Sequence, residues 1–479
     1  MSWHHINTRR ISLQMCLFWN RGLGEKAVAT YGFGIKKFLN YFDGQKTEYY
    51  VPTAEWDAYQ DNLRQLLEKN IFVRTIPWEV QRYLERQLER WQTSFPKNLP
   101  GMSSGGLLNL QKQVAEEVAW TNSRTWMIYL LNDRIVEKVE TMLRERTADD
   151  AQVKKYLLNF SSPLEMNGAM KERLALLELS LLRGALSHAL FTEKLKSHVE
   201  RFRHIPMFGF DHDPYPFEHF QNQIFEIEDA AYELAELQKS IRERKGQFET
   251  ALRELQLAET DPLYDLIHML KHTVFVRDYR DTLRQKMYLL DRGMYEEIGK
   301  RLGELTARET TNLTNEEIAD GLQEHATIHF KKLAEERRKG FLILENEAGT
   351  EVYTGNEAHE KAKREIHSPP AHREHTLRGQ SASSGLAKGR TKIIQTSDDL
   401  GKIKDGDVMV TYVTRQDFLP AMRRSAAIVT EEGWITNHAA IIARELGIPC
   451  VVGASQATTI FHDGDEAEVD ANRGIVRKI

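Results

Sequence analysis

The sequence predicts a multidomain protein in which a mostly α-helical N-terminal and central body is followed by a C-terminal α/β domain. The length of 479 residues is more than one domain usually holds. Apolar residues recur at three- and four-residue spacing over long stretches of the first 365 residues, as in amphipathic helices. After a proline-containing segment, short β-branched runs separated by Gly and Asp replace that pattern.

Composition excludes several classes of protein. Hydrophobic residues make up 41% of the chain and charged residues 28%, as in ordinary globular proteins. A formal net charge of −5 gives no concentrated basic surface for nucleic acid. Two cysteines, Cys16 and Cys450, exclude a disulfide framework and a cysteine-based zinc site. No apolar run approaches the ~18 residues of a membrane span. We therefore expect a cytoplasmic protein without nucleic-acid or membrane partners.

The N-terminal part, residues 1–105, has mixed α/β character. The β-branched and aromatic runs at 47–51 and 71–75 predict two strands. The glycines at 22–26 lack the spacing and the flanking strand of a phosphate-binding loop. We expect a plain turn at that position.

The central part, residues 106–365, is predicted to be helical. The helical periodicity covers residues 107–143, 171–199, 217–257 and 263–302. Thr314, followed by acidic residues, predicts a further helix start.

Three arginines in the central part form a candidate anion site. Arg277, Arg280 and Arg284 fall on one helix face, where guanidinium groups can bind the phosphate or carboxylate of a substrate bidentately. The interleaved Asp278 and Asp281 favour a solvated, ion-paired helix instead. Both interpretations stay open.

A histidine pair on the same segment has the spacing of metal ligands. His268 and His272 lie four residues apart, and Asp265 shares their face. The general-base glutamate of the zinc-protease motif is missing, and such pairs are common by chance. We therefore expect no metal site.

A linker at residues 366–376 separates the body from the C-terminal domain. Pro369 and Pro370 cannot continue a helix and favour an extended chain. Residues 377–479 hold equal numbers of acidic and basic side chains, so this domain is neutral. Strands are predicted at four β-rich runs, 390–394, 407–411, 426–430 and 450–452.

The strongest chemical signal is the segment 430–449. A buried strand runs into a glycine turn, Thr436 or Asn437 caps a helix, and Gly447 ends it. His438 then lies in the first helical turn, where free N–H groups and the positive end of the helix dipole favour an anion. These features fit a phosphate-carrying nucleophile as well as a capping histidine.

Residues 377–479 resemble the phosphohistidine swivelling domain of phosphoenolpyruvate synthase and pyruvate phosphate dikinase. Rifampin phosphotransferase and phenylphosphate synthase carry similar domains. The resemblance depends on residues 384–390 and 418–422 and above all on 430–453. It implies that His438 accepts phosphate from a nucleotide and passes it to a substrate.

The motif matches and departures concern the residues around that histidine. Thr436, Glu432 and Arg444 match the family motif, and the resemblance implies that they belong to the site. Trp434 replaces the second glycine of the motif and adds bulk beside the nucleophile. Asn437 replaces a serine or cysteine and remains a good helix cap.

The resemblance also predicts partners and cofactors. Complete family members have an ATP-grasp domain upstream, and those that use phosphoenolpyruvate have a TIM barrel downstream. The sequence contains no motif for either. We expect ATP and Mg²⁺ to bind an ATP-grasp partner subunit, in a layout similar to phenylphosphate synthase.

The helical body more loosely resembles the central domain of these enzymes, which in rifampin phosphotransferase binds the acceptor. The resemblance covers residues 276–288, 313–318 and 340–355. The sequence therefore predicts a phosphotransferase component that carries phosphate on His438 to an unknown small-molecule or protein acceptor. The alternative is a phosphocarrier, regulatory or degenerate scaffold subunit with no small-molecule acceptor of its own.

Overall fold

A computed structural model describes residues 2–69, 75–210, 212–323, 329–366, 376–433 and 437–479. The chain forms two compact units, and each unit is assembled from three separate segments. The first unit comprises Met1–Leu131, Met207–Asp213 and Leu283–Pro369, and the second comprises Asn132–Pro206, Pro214–Thr282 and Pro370–Ile479. Two long helices, α5 (Ser104–Arg144) and α11 (Pro262–Arg301), contribute residues to both.

The first unit contains an antiparallel sheet of five strands in the order β1-β3-β2-β4-β5. Its strands are β1 (Trp3–Arg9), β2 (Phe38–Phe42), β3 (Thr47–Pro52), β4 (Phe341–Asn346) and β5 (Gly349–Thr354). Besides parts of α5 and α11, its helices are α1 (Leu13–Arg21), α2 (Ala27–Tyr31), α3 (Thr53–Lys69), α4 (Ile76–Ser94), α12 (Ala307–Thr310), α13 (Asn315–Leu322), α14 (Phe330–Lys339) and α15 (Asn356–Glu365).

The strand predicted at 47–51 is confirmed as β3. The strand predicted at 71–75 falls almost wholly outside the described residues. Thr314 caps α13 as predicted, because its hydroxyl accepts from the N–H of Glu317. The pairing of β2 with β4, for example Asn40 opposite Ile343, joins the three N-terminal strands to the β4–β5 hairpin.

The prediction of a plain turn at Gly22–Lys26 is wrong. This segment is a short π-helix that joins α1 to α2 without a break. Its glycines permit close packing rather than a change of chain direction. A Cβ atom at Gly22 would lie 2.5 Å from Cβ of Asn122 on α5, and one at Gly24 would lie 2.8 Å from the carbonyl oxygen of Ile35. The helix therefore continues where the sequence suggested a break.

The helical part of the second unit confirms the predicted helical body. Besides parts of α5 and α11, its helices are α6 (Asp150–Phe160), α7 (Gly168–Leu181), α8 (His188–Phe202), α9 (Phe217–Glu226) and α10 (Ala230–Glu254). The periodic stretches at 171–199 and 217–257 each form two helices instead of one. Ser187 and Asp229, whose side chains accept from the backbone N–H groups of Leu190 and Tyr232, cap the second helix of each pair.

The rest of the second unit is the predicted α/β domain. Its elements are β6 (Thr376–Arg378), β7 (Gln380–Ser383), β8 (Leu386–Ile393), β9 (Val408–Thr411), α16 (Leu419–Arg424), β10 (Ala427–Thr430), α17 (His438–Leu446), β11 (Cys450–Val452), α18 (Ala457–Ile460), β12 (Glu466–Asp470) and β13 (Ile475–Lys478). Eight strands pair in the order β6-β13-β12-β8-β9-β10-β11-β7. Strands β8, β9, β10 and β11 run parallel, so their carboxyl ends meet at one edge.

Two hydrophobic cores hold this sheet. One packs α16 and α17 against residues such as Met409, Ile428 and Cys450, and the other packs Val410, Val429 and Phe461 with the β12–β13 hairpin. The predicted linker falls on residues outside the described ones, apart from its two ends. The domain boundaries drawn from the sequence stay predictions. None of the described helices is long and apolar enough to cross a membrane.

We predict that Gly389→Ala destabilises the α/β domain. A Cβ atom at this position in β8 would lie 2.3 Å from the carbonyl oxygen of Gly406, which is backbone and cannot move aside. The expected loss is about 1–3 kcal/mol, or roughly 3–10 °C in melting temperature by calorimetry of the full chain. Gly401→Ala, with no atom within 4 Å of its Cβ, is the control. Equal melting temperatures for the two variants would contradict the packing described here.

Candidate functional site

Helix α17 is the next helix after β10 in the chain and begins at the carboxyl edge of the parallel strands. Asn437 is its N-cap: the side-chain oxygen accepts from the N–H of Ala440 at 2.8 Å. Gly447 ends the helix in the left-handed conformation, with φ of 67°. The helix, its glycine end and one of the two caps considered are confirmed, and His438 occupies the first helical position. Thr436 lies outside the described residues, as does Trp434.

The backbone of Glu432, before α17, is held by two hydrogen bonds. The N–H of Glu432 donates to the carbonyl oxygen of Tyr412 at 3.0 Å, and the Glu432 carbonyl accepts from Asn437 Nδ2 at 3.3 Å. Gly433 has φ of 119°, and a Cβ atom there would lie 1.8 Å from Asn437 Nδ2. This position therefore requires glycine. Glu432 contributes to the site through its backbone.

The two ring nitrogens of His438 have different surroundings. Nδ1 lies 3.0 Å from Oγ1 of Thr414, which is on the loop after β9. Nε2 is shielded from solvent and has no hydrogen-bond partner among the described residues. A buried polar nitrogen without a partner is costly and points to a function. When Nδ1 donates to Thr414, Nε2 bears the lone pair.

Burial lowers the pKa of His438 to about 4. The carboxylates of Asp281 on α11 and Asp417 on the loop before α16 oppose this shift without cancelling it. Asp417 is itself buried and accepts from Arg415 at 3.0 Å. The imidazole is therefore neutral, and hence nucleophilic, at pH values near 7.

The α/β domain packs against the helices of its own unit. Ala169 of α7 belongs to the same hydrophobic cluster as α16 and α17. Arg244 of α10 forms a buried ion pair with Glu445 near the end of α17. We call this contact of helices α7 and α10 with helices α16 and α17 of the α/β domain the docked arrangement.

A second charged contact lies beside α16. Glu233 of α10 accepts from Arg173 of α7 and, at 3.4 Å, from Arg423 of α16. One carboxylate thus joins a helix of the body to a helix of the α/β domain. Its exposure is intermediate, so we expect it to contribute less than the buried Arg244–Glu445 pair.

Arg444 lies away from His438. It follows six residues later on α17, about 9 Å along the helix axis. Its Nη1 donates to the carbonyl oxygen of Ala382 on β7 at 3.3 Å. The structure therefore does not bring these two predicted residues together.

The three arginines of α11 are half-buried and make local contacts. Arg280 Nε donates to the carbonyl oxygen of Arg277 at 2.8 Å and lies 3.6 Å from the Asp281 carboxylate. Arg284 donates to the hydroxyl of Tyr288 at 2.6 Å. These contacts resemble the ion-paired helix that the sequence offered as one interpretation, and an anion site here stays a prediction.

The histidine pair of α11 has aromatic neighbours. His268 lies beside Tyr264 and Phe248, and burial lowers its pKa. Within the described part of the chain, no group of three or more His, Cys, Asp or Glu residues is arranged to hold a metal ion.

Sequence reasoning missed Thr414 and Asp417 and read Asp281 only as an ion-pair partner. Thr414 follows β9, which neighbours β10 in the parallel part of the sheet. Polar residues directly after adjacent parallel strands meet at one edge. That rule, applied to the predicted strands, places the segments that carry Thr414 and His438 at the same edge of the sheet. Asp281 comes from another segment of the chain, and no local pattern indicates its position.

We predict that Arg244→Glu weakens the docked arrangement, because it leaves Glu445 buried beside a like charge. Exposure of the imidazole then raises the pKa of His438 from about 4 towards its usual 6.5, as NMR titration of the histidine ring will show. Since the docked imidazole resists protonation, the contribution of His438 to docking is full above pH 6.5 and is lost as the pH falls towards 4. Glu445 contributes with the opposite sign, because burial raises the pKa of its carboxyl group to about 7.

Arg242→Glu, the same charge change at an exposed position of α10, is the matched control. Combining Arg244→Glu with Glu445→Arg should restore the low pKa in part. An unchanged titration of His438 in Arg244→Glu would show that the ion pair does not hold the docked arrangement.

Comparison with known proteins identifies the domain that carries this site. The family model of the PEP-utilising enzyme mobile domain matches residues 403–474. A probable phosphoenolpyruvate synthase of Methanothermobacter thermautotrophicus is 50% identical over 104 residues, which are 22% of this chain and 15% of that protein. The phosphoenolpyruvate synthase of Pyrococcus furiosus is 50% identical over 102 residues, 21% of this chain and 12% of that protein.

The phosphoenolpyruvate synthase of Deinococcus radiodurans is 43% identical over 98 residues, 20% of this chain and 13% of that protein. The matched region thus spans 12–15% of the length of these relatives. The crystal structure of aconitase X from Thermococcus kodakaraensis aligns to 22% of this chain and 98% of its own, at 19% identity and a TM-score of 0.18, too low to support an inference. The C-terminal domain is a PEP-utilising mobile domain, the swivelling histidine domain of the phosphoenolpyruvate synthase type.

Proposed function

We propose that this protein is a phosphotransferase component that carries a phosphoryl group on His438 between an ATP-dependent donor and an acceptor. The observation that carries the proposal is the placement of His438 at the first position of α17, with a buried Nε2 that has no hydrogen-bond partner among the described residues. Its place in a mobile domain of the phosphoenolpyruvate synthase type supports the same conclusion.

The chemistry is a double displacement at phosphorus. The Nε2 lone pair attacks the donor phosphorus in line, so that an N–P bond forms while the P–O bond to the leaving group breaks. The electron pair of that bond leaves with the donor oxygen. An acceptor nucleophile later displaces the imidazole from the same phosphorus. When Oγ1 of Thr414 accepts the Nδ1 proton, the lone pair of the reactive tautomer lies on Nε2.

Residues around the histidine would position it rather than react. Asn437 sets the start of α17 through its cap, and the backbone of Glu432 shapes the preceding turn. The N–H groups of the first helical turn favour the negative charge that phosphorylation adds. By family resemblance, Thr436 would support the same site, whereas Arg444 lies away from His438 near the other end of α17.

The docked arrangement suits the unphosphorylated carrier. The carboxylates of Asp281 and Asp417 lie close enough to influence the charge of His438. A phosphate group carries about −1.5 to −2 charges at neutral pH and would be repelled by both. We therefore expect phosphorylation to release the domain from the helices, so that it can reach the acceptor.

The donor would be an ATP-grasp domain on a partner subunit, as the family resemblance implies. Mg²⁺ bound with ATP would neutralise the charge on the transferred phosphoryl group. The helical body, including Arg277, Arg280 and Arg284, is the candidate region for the acceptor. Those three guanidinium groups could hold an anionic acceptor.

The alternative is a phosphocarrier, regulatory or scaffold subunit that has no small-molecule acceptor of its own. One observation favours a subunit that passes phosphate to another protein. The large cleft beside α10 meets α17 at the opposite end from His438, so a small molecule bound there would not face the nucleophile. In a degenerate scaffold subunit, the bulk of Trp434 would block access to His438. Trp434 lies outside the described residues.

We predict that His438 becomes labelled only when a donor subunit is present. The full chain is incubated with Mg-ATP, with phosphoenolpyruvate, and with ATP plus an extract of the native host. Phosphate is located by intact mass and peptide mapping at alkaline pH, where phosphohistidine survives. His438→Ala should lose the label entirely, and His462→Ala, an exposed histidine of the same domain, should retain it.

Two results would contradict parts of this proposal. Labelling by ATP alone would show that the chain binds nucleotide itself, against the partner assignment. No label under any of the three conditions would contradict the carrier role and favour the scaffold.

A further inference from the structure

A large cleft opens between the α/β domain and the helices of the same unit. Its volume is about 1180 Å³, somewhat larger than most small-molecule sites. Helices α6, α7, α10 and α11 line one side. The end of α17, part of α16 and Ser384 in the β7–β8 connection line the other. The cleft thus contains residues from both partners of the docked arrangement.

The lining has an excess of positive charge. Among its described residues, eight are Lys or Arg and five are Glu. Three of the cations, Lys271, Arg244 and Arg444, lie deep and close together, since each influences the ionisation of a neighbour. Arg173 and Arg423 form a second group beside α16 and share the single carboxylate of Glu233.

Lys271 is the most informative of these residues. It is 6% exposed, and its Nζ donates only to neutral acceptors in the described contacts, the carbonyl oxygens of Asn159 at 3.1 Å and Ser162 at 2.7 Å. Burial lowers its pKa to about 7, Glu165 opposes the shift, and Arg244 and Arg444 add to it. A buried ammonium without a bound carboxylate is expensive.

Arg244 has hydrogen-bond donors that remain available. Nη1 of Arg244 donates a hydrogen bond to the Glu445 carboxylate. The buried Nε and Nη2 of Arg244 have no hydrogen-bond partner among the described residues. Burial lowers the pKa of Arg444 to about 10, and Arg244 contributes in the same direction. An anion placed between these groups and Lys271 would relieve the repulsion and supply hydrogen-bond acceptors.

We propose that this cleft binds a small molecule with two or more phosphate or carboxylate groups, and that the ligand stabilises the docked arrangement. Two anionic groups match the two groups of cations. The ligand would be an effector rather than the phosphoryl acceptor, because the cleft meets α17 at Arg444 to Gly447 and His438 is at the opposite end.

The functional consequence follows from the residues on both walls. A ligand held by Lys271 and Arg244 on the helices and by Arg444 and Arg423 on the α/β domain would bridge them. Binding would keep Nε2 of His438 covered and slow its phosphorylation. This regulation depends on the proposed carrier function, whereas ligand binding itself does not.

The test uses the full chain and inorganic pyrophosphate as the probe, with titration calorimetry at low ionic strength. We expect saturable binding that Lys271→Met weakens about tenfold or more, the loss of a hydrogen bond to a charged group. Lys154→Glu, at an exposed position of the lining, should also weaken binding and does not threaten the fold. Lys196→Met, an exposed lysine on α8 outside the lining, is the control.

Amide hydrogen exchange in the same samples measures whether the ligand joins the helices to the α/β domain. Pyrophosphate should slow exchange in both α10 and α17, and His438→Ala should bind it as tightly as the unaltered chain. No saturable binding, or equal affinity in Lys271→Met, Lys154→Glu and the control, would overturn the site. Protection of α10 without α17 would overturn the bridge. Loss of binding in His438→Ala would assign the anion to the carrier site instead.

Discussion

The position of the candidate nucleophile depends on one hydrogen bond, from the N–H of Ala440 to the side chain of Asn437. This bond fixes where α17 begins, and so makes His438 its first residue. Gly433 allows the bond, because any side chain there would occupy the space of the Asn437 amide. Since Ala439 and Ala440 are buried in the core on that face of the sheet, the helix cannot rotate without losing apolar contacts. The cap therefore determines which ring nitrogen meets Thr414 and which stays available.

The docked arrangement balances two requirements of a carrier. Burial keeps the imidazole neutral and withholds Nε2 from water, but a covered nitrogen cannot meet a donor. The helices and the α/β domain are held partly by charge pairs, Arg244 with Glu445 and Glu233 with Arg423. Such contacts can separate when the charge at His438 changes. The excess of cations in the neighbouring cleft gives the same interface a means of responding to an anion.

Local patterns predicted most of the site and little of its surroundings. The strand, glycine turn, cap and helix around His438 follow from residues adjacent in sequence, and so do α5, α11 and the start of α13. The turn expected at Gly22–Lys26 is wrong because glycine there serves helix packing, which only the tertiary structure reveals. Asp281 and Arg244 lie more than 150 residues from His438, and their approach depends on how the helices pack. No periodicity in a single sequence encodes those contacts.

The most direct test of the account is to determine which nitrogen of His438 carries phosphate. The phosphorylated chain, with ¹⁵N-labelled histidine, is analysed by NMR for coupling between phosphorus and the ring nitrogens. Because Thr414 contacts Nδ1 and Nε2 has no hydrogen-bond partner among the described residues, we predict phosphate on Nε2. Phosphate on Nδ1, or on a residue other than His438, would contradict it.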